Sequence, residues 1–219
     1  MKTAVIICAG EFPRKAYPLY LLQRADYLVC CDGAFATYLR RRKRIPGCEE
    51  RLPDAVVGDF DSLSPALQRR YADLLVHRAD QDDNDQTKAF QYVLEHAPEV
   101  EEIHILGATG KRPDHTIGNL SLLMEYPRRF ALGERRVDMV TDYGTAFALG
   151  DTATLEVGEG RRVSLFSPDN SLRIRSEGLV WPTDAVVFDN WWKATLNRAC
   201  ADRITLHFSH PSRALVILD

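Results

Sequence analysis

The chain has 219 residues, 45% of them apolar and 27% charged, with 28 Lys plus Arg against 31 Asp plus Glu for a formal net charge of −3. That is enough for one large domain or two small ones, burying roughly 70% of the unfolded surface without disulfide or metal staples. The composition excludes long disorder; no apolar run approaches the ~20 residues of a membrane helix, and the acidic balance counts against nucleic acid, whose counterions basic charge must displace.

The opening Met-Lys-Thr-Ala-Val-Ile-Ile-Cys runs straight into charged sequence and reads as a first β-strand, not a signal peptide. From residue 1 to about 135, β-branched runs at residues 3–8, 26–31, 54–57, 74–77 and 102–106 alternate with helix-like stretches at 17–24, 34–43, 65–73, 85–96 and 116–126. Ser64 is an N-cap with Pro65 at the first helical position. Such alternation predicts a mostly parallel sheet with helices on its faces. Between residues 130 and 137 the pattern changes. Short alternating runs at 152–157, 162–166, 185–188, 203–208 and 214–218 then predict a small all-β sandwich or barrel, dividing the chain into domains 1–135 and 136–219.

Two features take bland readings. Cys8, Cys30, Cys31, Cys48 and Cys200 have neither CxxC spacing nor an even framework, which points to unpaired thiols in a reducing cytoplasm. The basic run at residues 40–44 is either a solvated helix end favoured by the dipole or an attractor for a polyphosphate.

Most of the chemical information is in carboxylates at the ends of expected strands. Asp32 follows one strand, Asp59 and Asp61 follow the next, and Asp80, Asp82, Asp83 and Asp85 follow the one after. Ligands of open α/β sheets bind beyond the carboxyl ends of the strands, so the three clusters can converge on one crevice. Asp59 and Asp61 are two apart, which in extended backbone points both to one side. Two charges ~4 Å apart repel by about 4 kcal/mol at an effective dielectric near 20, so a cation is needed. Oxygen-only ligands call for a hard one, Mg²⁺ before Zn²⁺, and carboxylate-held Mg²⁺ normally serves phosphates. Singly, each cluster is also explained as a helix first turn or an Asx-turn.

The loop Leu-Gly-Ala-Thr-Gly-Lys-Arg-Pro-Asp-His at residues 106–115 follows a strand and precedes a helix. Gly107 and Gly110 allow close backbone approach, and Lys111 and Arg112 add positive charge, although the P-loop spacing is absent. Lys88 is either an ion-pair partner of Asp85 or a phosphate contact, and His115 either a helix-start hydrogen bonder or a ligand. Trp191 and Trp192 are expected in the core or at an interface.

In order, these motifs resemble the thiamine pyrophosphokinase family. The Asp-Gly pair is Asp32-Gly33; Gly-Asp-Phe-Asp-Ser stands unchanged at residues 58–62; Asp-Gln-Asp-x-Thr-Asp-x-x-Lys-Ala matches residues 80–89 with Asn84 where Thr is usual; and a Gly-rich Arg-x-Asp-His segment ending in Asn-Leu matches residues 107–120. Farther on, Gly178-Leu179-Val180-Trp181-Pro182 is similar to the family's Gly-Leu-x-Trp segment, while Leu196-Asn197 stands where the family has Ser-Asn.

The resemblance implies a Rossmann-like α/β domain binding ATP and Mg²⁺, followed by a β domain that completes a thiamine site across a homodimer interface. It implies transfer of pyrophosphate from ATP to the thiamine hydroxyl, giving thiamine pyrophosphate and AMP. It assigns Asp32, Asp59, Asp61 and Asp85 to Mg²⁺, with Asp59, Asp61, Asp85 and Arg112 as the catalytic set. Gln81, Asp82, Lys88, Gly107, Gly110, Arg112 and His115 fall to the nucleotide, and Asp114, Thr195 and Asn197 to thiamine. The rivals are a pyrophosphokinase of a pterin alcohol, a haloacid-dehalogenase-like phosphohydrolase, and a non-catalytic thiamine- or nucleotide-binding regulator.

Overall fold

The computed structural model describes residues 1–219. The chain divides into two compact units, Met1–Asn119 with Gly133–Asp142, and Leu120–Leu132 with Tyr143–Asp219.

The elements in chain order begin with β1 (Thr3–Ile7), α1 (Ala16–Arg24), β2 (Tyr27–Cys31), α2 (Ala34–Arg41), β3 (Ala55–Gly58), α3 (Pro65–Arg70) and β4 (Leu75–His77). They continue with α4 (Asp85–His96), β5 (Glu102–Leu106), α5 (Pro113–Arg129) and β6 (Arg136–Val140). In the first unit all neighbouring strands are parallel, in the order β6-β5-β1-β2-β3-β4. The chain steps outward from β1 to β4, then α4 carries it back to β5 on the other side of β1. The winding therefore reverses between β1 and β5, where doubly wound sheets open a crevice at their carboxyl ends. β1 is buried from Ala4 to Ile7 as an unbroken apolar run, and β5 from Ile103 to Leu106 with His104 the one polar side chain among them, as in strands covered on both faces.

Side chains cap the starts of α3 and α4. Ser64 Oγ accepts from the Leu67 amide at 3.4 Å, and Asn84 Oδ1 accepts from the Thr87 amide at 3.0 Å. The expected helix over 65–73 stops at Arg70, and a 3₁₀ turn over Ala72–Leu74 leads into β4. The expected helix over 116–126 begins earlier, at Pro113, and runs to Arg129 with Pro127 in its last turn. The basic run is not solvated throughout. Arg42 is buried, donating to the Arg51 carbonyl at 2.8 Å, because the helix tightens into a 3₁₀ turn at Arg42–Arg44.

The second unit holds β7 (Thr145–Leu149), β8 (Ala153–Glu156), β9 (Arg162–Phe166), β10 (Ile174–Glu177), β11 (Asn197–Arg198), β12 (Arg203–Phe208) and β13 (Ala214–Leu218). Antiparallel ladders join β11-β9-β13-β7 and β10-β12-β8. Alternation along β9 and β12 sends Val163, Leu165, Ile204 and Leu206 into one core with Ile174 and Val216. Residues 185–188 do not form the expected strand. Val186 donates to the Thr183 carbonyl at 2.9 Å in a turn, and Phe188 reaches the core from a loop. Pro182, Asp184 and Asn190 punctuate the segment, so its apolar content reports burial, not extension. Trp191 and Trp192 are 52% and 69% exposed, which removes the expected core role for them.

Candidate active site

Two loops at the point where the winding reverses are laced together. The amides of Cys8, Gly10 and Glu11 donate to the carbonyls of Leu106, Gly107 and Thr109 at 2.8, 2.6 and 2.8 Å. A side chain at Gly10 would fall inside contact distance of the Gly107 and Thr109 carbonyl oxygens, so only glycine permits the lacing. Above it opens a crevice of about 300 Å³, lined among others by Cys8, Gly10, Asp85, Ala108, Lys111 and Asn119.

Beside this crevice lie the carboxylates. Asp32 follows β2 directly, its amide donating to Val57 at 2.9 Å, and its Oδ2 accepts from the Ser62 amide at 3.2 Å. Asp59 and Asp61 do converge, but not through extended backbone. Phe60 takes a φ of 66°, and the Asp61 amide folds back to Asp59 Oδ1 at 3.3 Å. A left-handed Phe is strained, the kind of conformation that surrounding structure retains at sites. The turn brings carboxylate oxygens of Asp32, Asp59 and Asp61 within 4.8 Å of one another. Asp85, the first residue of α4, stands outside this trio yet within its field.

The charges are tuned in opposite directions. Burial, reinforced by the charges of Asp85 and Asp61, pushes Asp32 up to about 6 against the Ser62 amide. Burial also raises Asp85, with Lys88 opposing. The Asp61 amide, helped by Lys88 and Gln81, lowers Asp59. Asp32 is 1% exposed and its Oδ1 has no hydrogen-bond partner. A buried, unpartnered carboxylate oxygen beside two more carboxylates fits a hard divalent cation such as Mg²⁺.

The other expected residues are distributed as follows. Lys88 is buried, 4.0 Å from Asp85 Oδ1 as an i,i+3 ion pair. Gln81 and Asp82 occupy the exposed turn after β4; Gln81 donates to the Ala79 carbonyl at 3.3 Å and the Asp82 amide to Asp80 Oδ1 at 2.9 Å. Gly110, Arg112 and His115 line the crevice, whereas Gly107 shapes the loop beneath with a φ of 65°. Arg112 and Asp114 engage each other, Nη2 to Oδ2 at 2.5 Å and Nε to Oδ1 at 3.2 Å, which holds Asp114 down to about 2. In the second unit, Thr195 Oγ1 donates to the Trp192 carbonyl at 2.8 Å. The buried Asn197 carboxamide clamps the Trp181 backbone, accepting from its amide at 3.2 Å and donating to its carbonyl at 2.6 Å.

Three polar residues had no role assigned from the sequence. Asn84 caps α4 and donates to Asn119 Oδ1 at 2.9 Å; Asn119 in turn donates to the Ala108 carbonyl at 2.7 Å, and Gln86 to the Asn119 carbonyl at 3.3 Å. This chain ties α4 to the loop after β5. Only the capping position of Asn84 carried a local signal.

A trio of carboxylates beside a switch-point crevice, in a parallel α/β unit followed by a β unit, is an arrangement suited to a divalent cation and the phosphate groups it would serve, the class of nucleotide-handling α/β proteins. Comparison narrows the class. Residues 19–132 match the family model described as thiamin pyrophosphokinase, catalytic domain, and residues 144–213 match thiamin pyrophosphokinase, substrate-binding domain. The chain belongs to the thiamin pyrophosphokinase family. It is 30% identical to thiamine pyrophosphokinase 1 of Oryza sativa subsp. japonica over 169 residues, covering 70% of this chain and 61% of the relative. It is 38% identical to thiamine pyrophosphokinase of Bacillus subtilis (strain 168) over 76 residues, 33% of this chain and 35% of the relative. The matches thus span less than two thirds of these relatives. The crystal structure of the Bacillus subtilis enzyme superposes with a TM-score of 0.75 at 18% identity, covering 100% of this chain and 99% of that one. Yeast thiamin pyrophosphokinase gives 0.76 at 17% identity, covering 99% and 86%. These two share the fold. No helix is long and apolar enough to cross a membrane.

Proposed function

We propose that this protein is a thiamine pyrophosphokinase, transferring pyrophosphate from ATP to the thiamine hydroxyl and releasing AMP. The observation that carries the reading is the trio Asp32, Asp59 and Asp61 beside the β1–β5 crevice, with Asp32 Oδ1 buried and unpartnered. These three residues, with Asp85 next to them, would hold Mg²⁺, which supplies positive charge to the polyphosphate when bound.

The rest of the work falls to the chain. Lys88, buried and aimed along α4 at Asp85, keeps a fixed cation near phosphate oxygens. Arg112 leaves or keeps its pairing with Asp114 as substrates arrive: the guanidinium faces phosphate, and the carboxylate accepts from the aminopyrimidine of thiamine. The thiamine oxygen must meet the β-phosphorus, forming the new P–O bond as the bond to AMP breaks and the hydroxyl proton passes to a carboxylate of the cluster, so orientation of two substrates is the main task. Residues 1–135 would form the ATP- and Mg²⁺-binding domain, with Gln81, Asp82, Gly107, Gly110 and His115 around the nucleotide. Residues 136–219 would bind thiamine and dimerise, with Thr195 and Asn197 near the substrate, in a cytoplasmic homodimer. The exposure of the large apolar side chains Trp181, Trp191, Trp192 and Leu196 supports that dimer, since interfaces cover such side chains.

Incubation of the purified protein with thiamine, ATP and Mg²⁺, followed by chromatography, tests the reading. Thiamine pyrophosphate with AMP is expected. Thiamine monophosphate with ADP overturns attack at the β-phosphorus, and neither product overturns thiamine as acceptor.

A further inference from the structure

Two thiols form part of the crevice wall and take no part in the chemistry above. Cys8 follows β1 and Cys31 ends β2, with their Sγ atoms 3.7 Å apart. The register explains the approach. Ile7 faces Cys30 across the parallel pair, so the next positions, Cys8 and Cys31, face each other, and the two-residue period turns Cys30 to the opposite face. Both side chains line the crevice, and Cys8 is the more exposed, at 7% against 2%. Each also touches the first turn of α4: Cys31 Sγ donates to the Asp85 carbonyl at 3.4 Å, and Cys8 Sγ lies 3.9 Å from Gln86 Oε1. Adjacent strands stand about 4.8 Å apart, within the Cα separation that disulfides span, so side-chain rotation is enough to bring the sulfurs to bonding distance.

We propose that Cys8 and Cys31 are a reversible thiol–disulfide site in the crevice wall, oxidised by a small disulfide such as oxidised glutathione. Cys8, the more exposed of the two residues, attacks the reagent through its sulfur and releases one small thiol, leaving a mixed disulfide. The Cys31 sulfur then attacks the Cys8 sulfur and releases the second small thiol. The protein gives up two protons and two electrons, and the reagent takes them up as two thiols. Both S–H groups that touch Asp85 and Gln86 are consumed, so the first turn of α4 loses two anchors beside the carboxylate trio. Weaker nucleotide binding in the oxidised form rests on the proposed function; the disulfide itself does not.

Wild-type protein and the Cys31→Ala and Cys200→Ala variants are incubated with oxidised glutathione, with and without ATP, and analysed by intact mass and non-reducing peptide maps. Wild type and Cys200→Ala should lose two hydrogens, yield a linked Cys8–Cys31 peptide and revert with dithiothreitol. Cys31→Ala should stop at glutathione on Cys8. ATP should slow closure, and oxidation should weaken binding of a fluorescent ATP analogue by about tenfold or more. Thiols retained at Cys8 and Cys31 while Cys200 is modified overturn the proposal, as does a disulfide between any other pair. The wild-type map decides this even if a variant does not fold. A linked peptide forming in a protein that neither binds ATP nor is protected by it supports the thiol pair and places the failure with the proposed function.

Discussion

The Ser62 amide donates to Asp32 Oδ2 at 3.2 Å, while Asp32 Oδ1, equally buried, has no partner. One oxygen thus ties the turn after β3 to the carboxyl end of β2, and the other is left beside Asp59 and Asp61. A charge kept in this state costs folding energy unless a cation joins it.

Replacing Asp32 by Asn should therefore raise metal-free stability at neutral pH by about 1–3 kcal/mol, because the buried charge and its repulsion by Asp61 and Asp85 disappear. Thermal unfolding with and without Mg²⁺ reads both effects. Wild type should be stabilised by the ion, whereas the variant should start higher and gain little.

Asp61→Ala removes an exposed carboxylate that accepts from the Ser62 hydroxyl at 2.8 Å. Stability should change by no more than about 0.5 kcal/mol, while turnover falls about a hundredfold or more, as expected on removing a group that stabilises transferred charge. Unfolding midpoint and AMP release, measured on one preparation, check this; a variant keeping most of its activity would contradict the metal assignment.

Gly10→Ala forces the two laced loops apart, since the new methyl meets two backbone oxygens. A loss of about 1–3 kcal/mol is expected, together with weaker ATP binding. Gly118→Ala makes the contrast: it lies in α5 with open space around it, so the same change should stabilise by about 0.5–1 kcal/mol. Denaturant titrations of the two variants should move in opposite directions.

Asn197→Ala leaves both backbone groups of Trp181 without the side chain that pairs them, at a cost of about 1–3 kcal/mol. If Trp181 belongs to the thiamine site, KM for thiamine should rise while KM for ATP stays within about twofold. Equal rises in both constants would assign Asn197 to general stability alone.

A stability effect of pH should arise at the β5–β6 pair. Burial opposes charge on His104, but the Asp138 bond at 2.7 Å and the Glu102 carboxylate, 3.7 Å from Nε2, outweigh it and raise the imidazole above its ordinary 6.5. The folded state thus binds the proton more tightly. The stabilisation is fully present below pH 6.5 and is lost as pH rises through the higher folded value. Asp138→Asn should show its largest deficit in unfolding midpoint below about pH 6.5, shrinking on the alkaline side. A deficit independent of pH would refute the linkage.

Much of the first unit was legible because β1, β2 and β3 are largely apolar runs and α3 and α4 carry local caps at Ser64 and Asn84. Gly-Asp-Phe-Asp-Ser was legible as chemistry, but not as geometry: alternation suggested an extended backbone, whereas Phe60 makes a left-handed turn. In the second unit, residues 185–188 show the limit of local pattern, since a buried Phe188 reports a core and not the backbone that reaches it. β10 escaped because Ile174 is the one buried side chain of its four residues. Arg112 and Asp114 had separate expected roles, and only the fold showed them paired.

The sequence by itself determined the alternation of elements, the family, and which residue types stand at the carboxyl ends of β2 and β3, because these depend on short-range periodicity and on spacing within a few residues. Tertiary structure alone decided that β5 pairs with β1, that Gly10 laces onto Gly107 and Thr109, and that Cys8 stands beside Cys31. These are meetings of segments up to about a hundred residues apart in sequence, set by strand register and the crossover through α4, and no local preference encodes them.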